Sequence, residues 1–137
     1  MSRGQSVLLT GASSHTGYWF AKRLIERGFR VICTLSRRNI DQYVGLKYAR
    51  LDRLKGDVEF VQARFGDDTF IQLLKRSEVV CHHGAFVEDY KSRDFDFTKA
   101  LQINTNNIQT VTHSLGERGI PLVVTGTVFE FDEGGDR

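Results

Sequence analysis

Two stretches of this sequence combine residue types and spacing that could do chemistry. The first is Thr10-Gly11-Ala12-Ser13-Ser14-His15-Thr16-Gly17, which follows a short apolar run and leads into a helical pattern. Gly11 supplies backbone freedom for a strand-to-helix turn, and Gly17 lets the helix pack closely on the sheet. The N–H groups of a first helical turn have no intrahelical partner, and Ser13, Ser14 and Thr16 add hydroxyl donors, so the turn suits a pyrophosphate. Glycine serving turn geometry alone is the competing reading. The second stretch is Leu35-Ser36-Arg37-Arg38, at the end of the next apolar run. A site for NAD usually offers Asp or Glu there to the ribose 2′-hydroxyl, and no acid is available. Two guanidinium groups beside a serine hydroxyl instead suit a 2′-phosphate, which favours NADP over NAD. The alternative is that Arg37 and Arg38 form the solvated start of the next helix.

Metal and redox chemistry find no such pattern. Cys33 and Cys81 lie in apolar runs away from any CxxC spacing, which predicts buried, reduced thiols. His15, His82, His83 and His113 show no i, i+4 pairing, and neighbours such as His82 and His83 on a strand point to opposite faces, so no metal site is expected.

The elements that must hold these residues follow from the periodicity. A chain of 137 residues, 40% hydrophobic, fits one domain over residues 1–137. Nineteen basic against 17 acidic residues leave a net charge of +2, which gives no case for nucleic acid or an anionic membrane. The polar start from Met1 to Gln5 and the strand-sized apolar runs predict neither a signal peptide nor a membrane span, hence a cytoplasmic location. Five strands are expected: Ser6 to Thr10, Arg30 to Leu35, Val58 to Ala63, Glu78 to His82 and Leu122 to Thr125, all buried. Helical spacing separates them. Phe20, Leu24 and Ile25 share one face before Gly28. Val44, Leu51 and Leu54 share another within Asn39 to Lys55, and Phe70, Leu73 and Leu74 follow a cap at Asp67. A long helix is expected from about Thr98 to Arg118, with Leu101, Ile108, Val111 and Leu115 inward, and Asp89 to Asp96 reads as loop.

This β/α alternation predicts an α/β fold, a Rossmann-like doubly wound parallel sheet in the order 3-2-1-4-5 within three α/β/α layers. A ligand should bind where the order reverses, at the carboxyl ends of strands 1 and 4. Cys33 and Cys81 would flank strand 1 with their Cα atoms roughly 9 to 10 Å apart, too far for a disulfide.

The turn at Thr10 to Gly17 resembles the TGxxGxxG signature of the extended short-chain dehydrogenase/reductases, the NAD-dependent epimerase/dehydratase family, with Ser14 in place of the middle glycine. The rival TGxxxGxG frame would need glycine at His15. Glu78 to Ala85 is similar to the family's DVVxHxAA segment, Ile103 to Asn107 to its NVxGT segment, and Val123 to Thr127 to its strand ending in Thr-Ser-Ser. The resemblance implies that His82, His83, Gly84, Ala85 and Asn104 border the cofactor, although both histidines also suit plain strand-end roles. It puts Arg64 and Phe65 where the family commonly has Asp-Leu or Asp-Ile beside adenine. Arg64 could then reach the 2′-phosphate or stack on the adenine. It also implies that Thr127 hydrogen-bonds the reacting oxygen; a hydroxyl that merely satisfies the strand end is the other reading. The family's acid/base Tyr lies in a YxxxK motif a helix beyond strand 5. Tyr43 and Lys47 have that spacing but lie in the second crossover, the wrong place, and the chain ends at Arg137.

The implied function is hydride transfer at a hydroxyl or carbonyl carbon of a small-molecule substrate such as a nucleotide sugar, as in epimerisation, dehydration or reduction. The isolated chain is expected to bind cofactor without turnover. A non-catalytic NADP-sensing or partner-binding module is the alternative. Strand 5 would be an open edge, which leaves room for pairing with a second chain, a homodimer included.

Overall fold

The computed structural model describes residues 4–84, 94 and 96–125. Five strands, β1 (Ser6–Thr10), β2 (Arg30–Leu35), β3 (Glu59–Gln62), β4 (Val79–His82) and β5 (Leu122–Val124), form one parallel sheet in the order β3-β2-β1-β4-β5. The helices are α1 (His15–Glu26), α2 (Gly45–Leu54), α3 (Asp68–Leu74), α4 (Phe97–Asn104) and α5 (Ile108–Arg118), with a 3₁₀ turn at Ile40–Gln42. The expected topology is the observed one.

Alternation along β1 and β2 divides the interior into two cores, because successive strand residues point to opposite faces. Leu8 and Ile32 join Phe70, Leu73, Val80, Val111 and Leu115 beneath α3 and α5. Leu9 and Cys33 join Tyr18, Ala21, Leu51 and Leu54 beneath α1 and α2. Leu8 and Leu9 are each fully buried, so β1 is the wall shared by both cores. Truncating a side chain as enclosed as Phe70 to Ala would cost about 3–5 kcal/mol. Leu9 stands opposite Cys33 on one side and Cys81 on the other, and both thiols are free. Burial pushes the Cys33 thiol up to about 12 and raises that of Cys81, which favours the protonated thiol in both, although Cys81 is only partly buried, contrary to the expectation that both are buried.

Several expectations need correction. Asparagine chemistry breaks the long helix in two. Asn107 takes a left-handed conformation (φ 56°), and the Asn106 and Asn107 amides donate to the carbonyls of Phe65 and Gly66 instead of leaving the helix uninterrupted. Leu101 is therefore 64% exposed, and Ala100 is the buried residue of α4. Val44 is also exposed, since α2 starts only at Gly45 and Val44 is its cap. Phe20 is exposed too: α1 buries Gly17, Tyr18 and Ala21, and Phe20 lies two residues, about 200°, around from Tyr18. The strands are not all buried, because β3 and β5 are the sheet's edges, and Val123 and Val124 are solvent-exposed. The caps at Asp67, whose side chain accepts from Phe70 N–H at 2.8 Å, and at Gly28 (φ 88°) match the sequence reading. Among the described residues no helix is long and apolar enough to cross a membrane.

Candidate functional site

At the carboxyl end of the sheet, where the strand order reverses between β1 and β4, lies a cleft of about 800 Å³. Its floor is the turn after β1. Gly11 (φ 81°) needs a backbone conformation that side chains rarely adopt, and a Cβ there would come within 2.6 Å of Gly84 N. Gly84 is tightly placed but less so, since its own Cβ would meet Gly11 N at 3.0 Å and the Thr10 side chain at 3.1 Å. The two turns therefore close on each other through bare backbone.

Ser14, at the position of the missing glycine, caps α1. Its hydroxyl accepts from Gly17 N–H at 3.0 Å and donates to Gly11 C=O at 2.8 Å. With φ at −75° the position asks for no glycine. Gly17 packs against the Gly11 carbonyl, and a Cβ there would collide with it. Arg50, from α2, donates to the Ser13 carbonyl at 3.1 Å and pins the far side of the turn.

Thr10 ties the turn to β4. Its Oγ1 accepts from His83 N–H at 3.0 Å and from Gly84 N–H at 2.7 Å. Both lone pairs are thus occupied, so the hydroxyl proton goes to His82 Nδ1 at 2.9 Å. That fixes the His82 tautomer: Nε2 carries the proton and donates to the Asn104 carbonyl at the end of α4, at 3.3 Å. The ring also stacks on Phe65, with centroids 4.1 Å apart. Burial pushes the His82 imidazole below its usual range, opposed by the bond to Asn104 and aided by the charge of neighbouring His83. His83 is lowered by burial too.

At the β2 end of the cleft, Tyr43 Oη accepts from Ser36 N–H at 3.1 Å and from Arg37 N–H at 3.4 Å, while the Arg37 guanidinium lies 5.6 Å from the centre of the Tyr43 ring. Gln42 takes the Arg38 N–H at 2.8 Å. Arg37, Lys47, Arg64 and Lys99 all border the cleft, and among the described residues no Asp or Glu does. Such a lining favours an anion.

Residues 7–137 match the pattern of the family described as "NAD dependent epimerase/dehydratase family". The chain belongs to that epimerase/dehydratase family. No curated protein matches the sequence. Among solved structures, ADP-L-glycero-D-manno-heptose-6-epimerase of Helicobacter pylori is 14% identical at a TM-score of 0.69, over 98% of this chain and 46% of its own. UDP-glucose 4-epimerase of Thermotoga maritima, with UDP-glucose, gives 17% and 0.65 over 89% and 38%. Yeast methylglyoxal/isovaleraldehyde reductase, complexed with NADPH, gives 16% and 0.62 over 90% and 37%. The chain thus spans less than half of each of these relatives.

Of the residues singled out from the family's motifs and the turn, Gly11, Ser13, Ser36, Arg37, Arg64, Phe65, Gly84 and Asn104 meet at the cleft, together with His82. Ser14 and Gly17 stand behind it and shape the turn, while His15 and Thr16 begin α1 exposed to solvent. Arg38 does not border the cleft, and His83 turns away to Phe20 and to Thr125 Oγ1, 2.7 Å from its Nδ1. Ala85 and Thr127 lie outside the described residues. Sequence reasoning missed Thr10, whose hydroxyl joins β1 to β4, and Lys99. It also set Tyr43 and Lys47 aside as misplaced for acid/base chemistry, although their spacing was visible and both border the cleft.

Proposed function

We propose that this chain is the dinucleotide-binding part of an epimerase/dehydratase-family oxidoreductase and takes NADP in preference to NAD. The observation that carries the reading is the β2 end of the cleft, where Arg37 stands beside Ser36 with Lys47 and Arg64 nearby and, among the described residues, no carboxylate lines the cleft to meet a ribose 2′-hydroxyl. A cofactor is consistent with the glycine turn after β1, whose bare backbone at Gly11 packs directly on Gly84 so that both turns border the cleft without side chains. Ser13 and the first N–H groups of α1 would face the pyrophosphate, with Arg50 holding the Ser13 carbonyl in place. Arg37 would pair with the 2′-phosphate through charge-assisted hydrogen bonds. The nicotinamide, when bound, supplies the hydride donor or acceptor for a hydroxyl or carbonyl carbon.

The substrate in this reading is a nucleotide sugar or a similar small molecule, in keeping with the UDP-glucose in the Thermotoga maritima relative. Thr127 would hold the reacting oxygen. Tyr43 and Lys47, at the β2 end beside Ser36, belong with the 2′-phosphate and not with proton transfer. The isolated chain should accordingly bind without turnover. Calorimetric titration tests the preference. NADP should bind at least about tenfold more tightly than NAD, the worth of one charge-assisted hydrogen bond. Arg37→Ala should reduce the difference at least several-fold. Equal affinities in the unmodified chain would refute the NADP assignment.

A further inference from the structure

Tyr43 offers a phenolic proton that meets only a long hydrogen bond among the described residues. Its Oη faces two backbone N–H groups, those of Ser36 and Arg37, and a phenol oxygen that accepts two such bonds keeps its own proton to give away. The partner in that long bond is Ser36 Oγ at 3.3 Å, longer than the 2.5–3.0 Å usual for O–H···O. The hydroxyl therefore stands at the rim of the cleft, anchored from behind, in a lining otherwise supplied with cations. Its ring lies beside the Arg37 guanidinium, and Lys47, from the first turn of α2, borders the same cleft.

We propose that Tyr43 is a specificity-determining residue that donates its phenolic proton to the 2′-phosphate of the cofactor, beside Arg37. The inference rests on the NADP reading above and deepens it. A phosphate dianion offers an acceptor oxygen at that point, whereas the 2′-hydroxyl of NAD offers only a neutral one, so the bond discriminates between the two cofactors. The backbone bonds to Tyr43 also explain why the amides of Ser36 and Arg37 need not meet the phosphate themselves: they are engaged in holding the phenol, and recognition passes to side chains.

Tyr43→Phe keeps the ring beside Arg37 and removes only the hydroxyl. Affinities of the unmodified chain and of Tyr43→Phe would be measured calorimetrically for NADP, NAD, adenosine 2′,5′-bisphosphate and adenosine 5′-monophosphate, with circular dichroism to establish the fold. The expected result is a loss of about tenfold for the two 2′-phosphorylated ligands and less than about twofold for the other two. A uniform loss across all four ligands overturns the proposal, because it marks a residue that merely shapes the turn. An unchanged NADP affinity overturns it as well. If the unmodified chain binds both cofactors equally, the NADP reading itself fails, and that outcome is distinct from a preserved preference that Tyr43→Phe does not touch. Arg37→Ala serves as the positive control, since it should reduce binding of 2′-phosphorylated ligands even where Tyr43→Phe does not.

Discussion

At the scale of single residues, the junction of β1 and β4 depends on the protonation of one ring. Thr10 can donate to His82 only while Nδ1 is unprotonated, because its two lone pairs are taken by the amides of His83 and Gly84. A proton on Nδ1 would set donor against donor. Burial already lowers the His82 imidazole below its usual range of about 6.5. The folded state thus favours the neutral ring, and the stability this contributes is present above the unfolded value and lost as pH falls through the lower folded value. His82→Gln, whose amide can accept from Thr10 and donate to Asn104 without titrating, should flatten the decline in urea-measured stability between about pH 7 and pH 5. His83 would continue to contribute in the variant, since it too is lowered by burial. An identical decline in both proteins would remove His82 from the account.

At the scale of elements, what the sequence made legible was what local periodicity and caps determine. Apolar runs placed the five strands, Asp67 and Gly28 marked helix ends, and the β/α rhythm dictated the sheet order. The glycine turn and the strand-2 arginine were legible because few residue types meet those backbone and charge demands. What escaped depends on contacts distant in sequence. Nothing near Thr10 indicates that its hydroxyl will meet amides more than seventy residues away. The same holds for the break between α4 and α5, where the amides of Asn106 and Asn107 reach carbonyls 41 positions earlier. Gly66 fits there (φ 83°) because a Cβ would collide with the Asn106 carbonyl. The break should be sensitive to substitution at Asn107. Asn107→Ala loses the bond to Gly66 and puts an alanine in the left-handed region, costing about 2 kcal/mol, whereas Asn107→Gly loses the bond alone, about 1 kcal/mol. Urea midpoints for the two variants that coincide would show that the left-handed geometry contributes nothing.

On the scale of the whole molecule, the cleft joins what the sheet divides. One core lies under α3 and α5 and the other under α1 and α2, with adjacent residues of β1, Leu8 and Leu9, buried in each. Phe65 comes to the cleft from the first core and Ala12 from the second. A ligand seated there touches both, so its binding energy should stabilise the molecule as one cooperative unit. At a hundredfold excess over its dissociation constant, NADP would add about 2.7 kcal/mol, which for a domain of this size raises the melting temperature by about 10 °C. Trp19, the only tryptophan, is 55% exposed on α1 with its ring 5.3 Å from that of Tyr18, a member of the second core, so its emission follows the seating of α1, while far-UV circular dichroism follows every helix and strand. With and without NADP, the two signals should melt at the same temperature and move together. A tryptophan transition that separates from the dichroism, or that shifts by a different amount on adding NADP, would mean that α1 leaves the sheet on its own and that a ligand in the cleft does not tie it to the rest.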